Sequence, residues 1–117
     1  MKILIVDDAS FVRMALTKTL QEDGHEIVAE AVNGADALEK YKLSKPELVI
    51  MDITMPEVDG LEGLHRIMEY DANAIVIMCS SMGQKEHVVQ AIQSGAKDFI
   101  VKPFDKERVK EAVRRYR

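Results

Sequence analysis

The fold is decided by the stretch KILIVDD at residues 2–8, in which four consecutive apolar residues lead into two aspartates. The stretch ELVIMD at residues 47–52 repeats this arrangement with one aspartate. Strands with one solvated face alternate apolar and polar side chains, so continuous apolar runs predict strands that are covered on both faces. Five strands are predicted in all, because three more short, β-branched apolar runs lie at 26–31, 74–79 and 98–101.

Segments with helical periodicity follow these runs. Val12, Leu16 and Leu20 recur every four residues, and a similar apolar spacing occurs in the four other segments. Because strands and helices alternate strictly, the strands are predicted to be parallel, joined by right-handed crossovers, with helices on both faces of the sheet. The prediction is a doubly wound (βα)5 α/β fold, a three-layer sandwich, with residues 1–117 forming one domain.

Composition and charge exclude several classes of protein. The 117 residues are 47% hydrophobic and 31% charged, which is typical of a globular domain rather than a disordered chain. The formal net charge of −4 argues against nucleic acid as a direct partner. Cys79 is the only cysteine, which indicates a reducing compartment. Since the sequence has neither a membrane-spanning apolar run nor a signal peptide, we expect a cytoplasmic protein without membrane insertion.

Polar side chains follow four of the five predicted strands. In an open parallel sheet, ligands bind beyond the carboxyl ends of the strands, so the residues at those ends are the most informative about function. Each has a structural explanation by itself, as a turn residue, a helix cap or a solvated loop residue, but their coincidence at one edge favours a site. The residues concerned are Asp7, Asp8, Asp52, Ser80, Ser81 and Lys102.

Three carboxylates at one edge predict a site for a hard cation. At an effective dielectric constant of about 20, two negative charges about 5 Å apart repel by about 3 kcal/mol. A cation that takes few protein ligands and keeps bound water is most naturally Mg²⁺, while Lys102 is suited to neutralising a carboxylate or holding an anion. The sequence contains no glycine-rich phosphate loop. A carboxylate, a hydroxyl, an ammonium group and a metal together suit phosphoryl transfer onto an aspartate.

In these residues the sequence resembles the receiver domains of two-component response regulators. The similarity extends over the entire chain, and within that family the chain is most similar to the single-domain chemotaxis regulators. The resemblance implies a flavodoxin-like parallel sheet with the strand order 2-1-3-4-5. The motifs that carry it are IVDD at 5–8, SFVRM at 10–14, MDITMPEVDG at 51–60, CSSMGQ at 79–84 and DFIVKPF at 98–104.

The resemblance also implies a phosphoacceptor and a metal site. Asp52 is expected to accept a phosphoryl group from a sensor histidine kinase. Mg²⁺ is expected to bind the carboxylates of Asp8 and Asp52 and the backbone carbonyl of Thr54, with Asp7 acting mainly through water. Beyond self-catalysed phosphotransfer and autodephosphorylation, no enzyme activity is expected.

Further positions take their expected roles from the same resemblance. Ser80 is expected to hydrogen-bond the phosphoryl group, and Lys102 to contact it by charge. Phe99 matches an aromatic switch position that turns inward when Ser80 moves. The bond between Lys102 and Pro103 is expected to be cis. Met82 matches a position that tunes dephosphorylation, and we hypothesise that it shields the phosphoryl group from water.

Two other functions are considered beside a chemotaxis regulator whose downstream target is a protein, with the flagellar motor switch as one candidate. One is the receiver domain of a longer DNA-binding transcriptional regulator, in which further sequence would follow Arg117. The other is an Mg²⁺-dependent phosphatase of the Asp-x-Asp class. That class needs a second carboxylate two residues after the nucleophile as general acid, where this sequence has Thr54.

Overall fold

Five strands alternate with five helices along the part of the chain that the structure, a computed structural model, describes, namely residues 1–81 and 85–117. The hypothesis about Met82 therefore lies outside the described residues. The strands are β1 (Lys2–Val6), β2 (Glu26–Ala31), β3 (Leu48–Asp52), β4 (Val76–Ser81) and β5 (Asp98–Lys102). The helices are α1 (Ser10–Glu22), α2 (Gly34–Ser44), α3 (Gly60–Tyr70), α4 (Lys85–Gln93) and α5 (Lys106–Arg114).

The strands form one parallel sheet in the order β2-β1-β3-β4-β5, which confirms the fold class and the implied strand order. Helices α1 and α5 pack on one face, and α2, α3 and α4 pack on the other. Along β1, Leu4 and Val6 point into one core while Ile3 and Ile5 point into the other. Coverage of both faces is why the central strands have continuous apolar runs instead of an alternating pattern.

Three strands extend further toward their carboxyl ends than their apolar runs predicted, and one of them is β5, which ends at Lys102 rather than at Val101. β3 ends at Asp52 rather than at Met51, and β4 continues to Ser81. The backbone ladder does not depend on side-chain polarity, so Asp52 still pairs with Cys79, and Ser81 with Lys102. Asp52, Ser81 and Lys102 therefore belong to strands rather than to loops, whereas Asp7 and Asp8 follow the end of β1.

No helix in the described part of the chain has both the length and the apolar character that crossing a lipid bilayer requires.

Candidate functional site

The three aspartates that the sequence predicted at the sheet edge lie together. Carboxylate oxygens of Asp7, Asp8 and Asp52 all lie within 4.8 Å of one another. Asp7 directly follows β1 and Asp52 ends β3, and these two strands are neighbours at the centre of the sheet. Asp7 and Asp52 are buried whereas Asp8 is exposed, so the cluster opens to solvent on the side of Asp8.

Lys102 supplies a positive charge to this cluster from the end of β5. Its Nζ donates a hydrogen bond to Oδ2 of Asp7 at 2.7 Å and lies 3.3 Å from Oδ2 of Asp52. Oδ1 of Asp7 accepts a hydrogen bond from the backbone N–H of Ala9 at 2.9 Å. The peptide bond between Lys102 and Pro103 is cis, as the resemblance implied. Both oxygens of Asp7 are thus engaged, while Asp52 shares the ammonium group.

Burial and charge act against each other at Asp52. Burial is the largest influence and raises the pKa of Asp52, and the nearby Asp7 carboxylate raises it further, while Lys102 lowers it without reversing the direction. Burial lowers the pKa of Lys102, but its hydrogen bond to Asp7 and the charge of Asp52 outweigh burial and leave that pKa raised. Three carboxylates and one ammonium group leave the cluster short of positive charge.

This donor set fits a magnesium ion. Carboxylate oxygens are hard ligands, and Mg²⁺ in proteins is held by one or two carboxylates with water completing its coordination. Among the described residues, Asp7, Asp8 and Asp52 are the group of acidic side chains close enough together to share one ion. The exposed side of Asp8 leaves space for water and for an incoming anion.

The loop between β3 and α3 is fixed against the backbone of Asp52. At Gly60, the first residue of α3, an added Cβ would collide with the carbonyl oxygen of Asp52, so only glycine fits there. The N–H of Gly60 also donates to the carbonyl of Ile53 at 2.7 Å. Thr54, whose carbonyl was predicted as a metal ligand, is an exposed residue of the loop that this contact closes.

Ser80 and Phe99 occupy the neighbouring strands β4 and β5. Ser80 is buried and lies opposite Val101, whereas Phe99 is 36% exposed. Side chains two residues apart on a strand share a face, so the register places Phe99 on the same face as Ser80, the face packed against α4. The two predicted switch residues are therefore near each other in the sheet.

An apolar groove of about 540 Å³ borders the carboxylates. Phe11 on α1 is 74% exposed and lines this groove, as does Phe104. Phe11 was not among the predicted site residues, because helical periodicity indicates only the buried side of α1. An exposed aromatic residue outside that side, three positions after the second aspartate, was the available signal. The groove is lined by Asp7, Asp8, Ala9, Phe11, Val12, Ala15, Ser81, Lys102, Pro103 and Phe104.

Comparison with known proteins identifies the family. The profile of the response regulator receiver domain matches residues 3–114. The chain belongs to the response regulator receiver family. This receiver domain is 60% identical over 112 residues to the chemotaxis protein CheY of Bacillus subtilis (strain 168), a match that covers 96% of this chain and 93% of the relative. It is 54% identical to CheY of Thermotoga maritima, with the same coverage of each chain.

Solved structures give the same result. The receiver domain superposes on CheY in the CheX–CheY–BeF3–Mg+2 complex of Borrelia burgdorferi with a TM-score of 0.92 and 42% identity, covering 97% of this chain and 86% of that chain. The predicted family and fold are confirmed, and the similarity to chemotaxis regulators favours that function over a DNA-binding regulator. Receiver domains of this type are response regulators rather than conventional enzymes, and they imply a histidine kinase donor and downstream targets.

Proposed function

We propose that this receiver domain accepts a phosphoryl group on Asp52 from a phosphohistidine of a sensor kinase, and that the modification changes its affinity for a downstream chemotaxis protein. The observation that carries the proposal is the position of Asp52, which is buried within 4.8 Å of two other carboxylates and 3.3 Å from Lys102. Such a carboxylate has a cation beside it that keeps it ionised and can also face an incoming phosphoryl group.

In the transfer step, an oxygen of the ionised Asp52 carboxylate attacks phosphorus. The new bond joins that oxygen to phosphorus, while the bond between phosphorus and the donor imidazole nitrogen breaks. The nitrogen leaves with the bonding electron pair, and neutral imidazole is released because the other ring nitrogen of the phosphohistidine carries a proton. Burial raises the pKa of Asp52, and the ammonium group of Lys102 opposes this and favours the ionised nucleophile.

Asp8, Asp52 and the Thr54 carbonyl are the groups that would hold Mg²⁺, with Asp7 acting through water. When bound, the ion would neutralise the carboxylates and the phosphoryl oxygens. The clustering of the three carboxylates supports this assignment, as does the presence of Mg+2 with the similar CheY of Borrelia burgdorferi.

Ser80 and Lys102 are proposed to contact the phosphoryl group once it is on Asp52, Ser80 by a hydrogen bond and Lys102 by charge. In the unphosphorylated protein Lys102 donates a hydrogen bond to Asp7, and a phosphoryl group on Asp52 would compete for the same ammonium group. Ser80 would donate its hydroxyl proton to a phosphoryl oxygen, and its displacement would let Phe99 turn inward on the shared face of the sheet. The exposed surface of β5 would change as a result, which couples the modification to target binding.

The groove beside Phe11 is proposed to receive the kinase segment that carries the phosphohistidine. The imidazole must approach Asp52 from solvent, and this groove is apolar surface that borders the open side of the cluster.

For the downstream partner, similarity to chemotaxis regulators supports a protein such as the flagellar motor switch. We also propose that residues 1–117 act as one receiver domain; the cytoplasmic location stays a prediction.

Acetyl phosphate tests the acceptor directly. Incubation with acetyl phosphate and Mg²⁺ should add one phosphoryl group, which intact mass spectrometry detects, and Asp52→Asn should remove it. Asp59→Asn is the matched control, because Asp59 caps α3 through the N–H of Glu62 and asparagine caps equally well. Full labelling of the Asp52→Asn protein would overturn the proposal.

A further inference from the structure

Arg13 connects three secondary-structure elements beside the acidic cluster. From α1, its Nη1 donates to the backbone carbonyl of Asp7 at 2.7 Å, just beyond the end of β1. Its Nε donates to Oε1 of Glu30 near the end of β2 at 2.8 Å. The side chain of Arg13 is 17% exposed, whereas that of Glu30 is 49% exposed. One planar guanidinium group thus bridges the turn that carries the aspartates to a neighbouring strand.

The bond to the Asp7 carbonyl acts on Asp8. That carbonyl and the N–H of Asp8 belong to the same rigid peptide plane, so holding the carbonyl fixes the plane and the direction in which Asp8 leaves it. On the other side, the N–H of Asp7 donates to the carbonyl of Ala31 at 3.0 Å. The backbone that leads into Asp8 is therefore held from both directions.

Asp7 and Asp8 differ in what holds their carboxylates. The carboxylate of Asp7 is buried and bonded to Lys102 and to the N–H of Ala9. The carboxylate of Asp8 is exposed, and within residues 1–81 and 85–117 no group donates a hydrogen bond to it. Its position near the other two carboxylates depends on the backbone, which the Asp7 carboxylate holds after Asp8 through the N–H of Ala9 and Arg13 holds before Asp8 through the carbonyl of Asp7.

We propose that Arg13 is a positioning residue for the metal site, holding the carboxylate of Asp8 within reach of Asp7 and Asp52 and so strengthening the binding of Mg²⁺. The inference rests on the proposed function, because it concerns the same ion. Glu30 contributes less, since it only orients the guanidinium group from a half-exposed position. Groups that orient metal ligands typically change metal affinity by about tenfold or more when they are removed.

Charge must be separated from positioning in the test. Removing a cation near the site would strengthen Mg²⁺ binding if only charge mattered. Arg13→Lys keeps the charge but has no planar fork to bond Asp7 and Glu30 together. We therefore expect Mg²⁺ to bind about tenfold more weakly in Arg13→Ala and about threefold more weakly in Arg13→Lys and Glu30→Gln. Arg66→Ala is the matched control, because Arg66 pairs with a carboxylate, Glu62, on α3.

Mg²⁺ titration followed by NMR of ¹⁵N-labelled protein measures this affinity at a temperature where circular dichroism shows every variant folded. Before metal is added, the amide signal of Asp8 should already be shifted in the Arg13 variants and unshifted in Arg66→Ala. An effect on stability alone would not produce that local shift in a fully folded protein. If Arg13→Ala does not fold, Arg13→Lys and Glu30→Gln decide the result.

The outcomes separate the inference from the function on which it rests. The proposed metal site requires that the wild-type protein bind Mg²⁺ saturably and that Asp8→Asn remove this binding. If either result is absent, the proposed metal site is overturned, and the positioning role with it. A wild-type protein that binds, together with Arg13→Ala and Arg13→Lys proteins that bind equally well, would overturn the positioning role alone. Tighter binding by Arg13→Ala with unchanged Arg13→Lys would show a charge effect and also overturn it.

Discussion

Charged side chains cluster at the carboxyl ends of the strands and also at their amino ends, and the two clusters differ in their balance of positive and negative charge. In the carboxyl-edge cluster, three carboxylates share one ammonium group. In the amino-edge cluster, one carboxylate, Asp23, contacts several basic groups, the nearest being Nη2 of Arg114 at 2.7 Å. The carboxyl-edge cluster is Asp7, Asp8, Asp52 and Lys102, and the amino-edge cluster is Asp23, His25, Arg114 and Arg117.

The pKa values of the two central aspartates move in opposite directions. The hydrogen bond from Arg114 lowers the pKa of Asp23 and outweighs the opposing effect of burial. Burial raises the pKa of Asp52, and Lys102 does not compensate for it. One cluster therefore stabilises the fold as it stands, whereas the other holds a carboxylate in an unfavourable state. Uncompensated charge of that kind is typical of functional sites.

Adding Mg²⁺ should produce the largest effect and should act on the carboxyl-edge cluster alone. At a concentration one hundred times the dissociation constant, a ligand that binds only the folded state stabilises it by about 2.7 kcal/mol. Thermal unfolding with and without Mg²⁺ should show this gain in the wild type and in Asp23→Asn. Asp8→Asn should lose most of it and Asp7→Asn less, and equal losses would contradict the assignment of Asp8 as the direct ligand.

Lys102→Met should cost about 2 kcal/mol of the free energy of unfolding without metal. Removing one partner of a buried ion pair costs about 3–5 kcal/mol, and the side chain of Lys102 is 22% exposed, which places its effect lower. Urea denaturation measures the loss, and Mg²⁺ should recover part of it by replacing the missing cation. Arg114→Met, the equivalent change at the amino edge, should cost less, and an equal cost would contradict the comparison.

The sequence predicted the carboxyl-edge cluster and missed the amino-edge cluster for a physical reason. Strand ends in a parallel sheet meet at one edge, so Asp7, Asp52 and Lys102 could be placed together from strand assignments alone. Asp23 directly follows α1, and Arg114 is the last residue of α5, 91 residues away in sequence. Their contact depends on the rotational position of each helix and on two side-chain conformations, which apolar periodicity does not specify.

Two other features could not be predicted for similar reasons: the contacts of Arg13 with Asp7 and Glu30, and the residues at which the strands end. Arg13 reaches a backbone carbonyl and Glu30, 17 residues away, through a side-chain conformation that no motif encodes. Apolar runs locate the buried part of a strand, while the ladder continues into polar residues such as Asp52 and Ser81. Element type and order could therefore be predicted, whereas strand ends and side-chain bridges required coordinates.

Asp52→Asn should stabilise the protein at pH 7 without metal, raising the unfolding midpoint by a few degrees. The ordinary pKa of the carboxyl is 3.8 and burial raises it in the folded state, so the folded state binds more protons between these two pKa values. Stability therefore falls as pH rises through that window and stays lower above it. Asparagine removes the cost of burying the ionised carboxylate. The difference in stability between Asp52→Asn and the wild type should therefore shrink as pH falls toward 4. Thermal unfolding against pH measures it, and a less stable Asp52→Asn protein at pH 7 would contradict the account.

Asp23→Asn should have the opposite sign and a smaller size. Hydrogen bonding from Arg114 lowers the pKa of Asp23 below its ordinary value of 3.8, so its stabilisation is present above that value and is lost as pH falls through the folded pKa. The variant should be less stable than the wild type at pH 7, and the difference should disappear in acid. Thermal unfolding over the same pH series measures it, and a difference that persisted at low pH would point to lost packing instead.

The smallest expected effect is a difference in how strongly added salt weakens the ion pairs of the two clusters. Arg114 is half exposed, so its attraction to Asp23 is screened by dissolved ions, whereas Lys102 is mostly enclosed with its carboxylates. In a double-mutant cycle of Asp23→Asn and Arg114→Gln, the coupling energy should be modest at low salt and close to zero in 1 M sodium chloride. The matching cycle of Asp7→Asn and Lys102→Gln should keep most of its coupling in the same salt, because the side chain of Asp7 is buried and that of Lys102 is mostly enclosed. Equal salt sensitivity in both cycles would mean that the carboxyl-edge cluster is as solvated as the amino edge, and the unfavourable state assigned to Asp52 would then lose its physical basis.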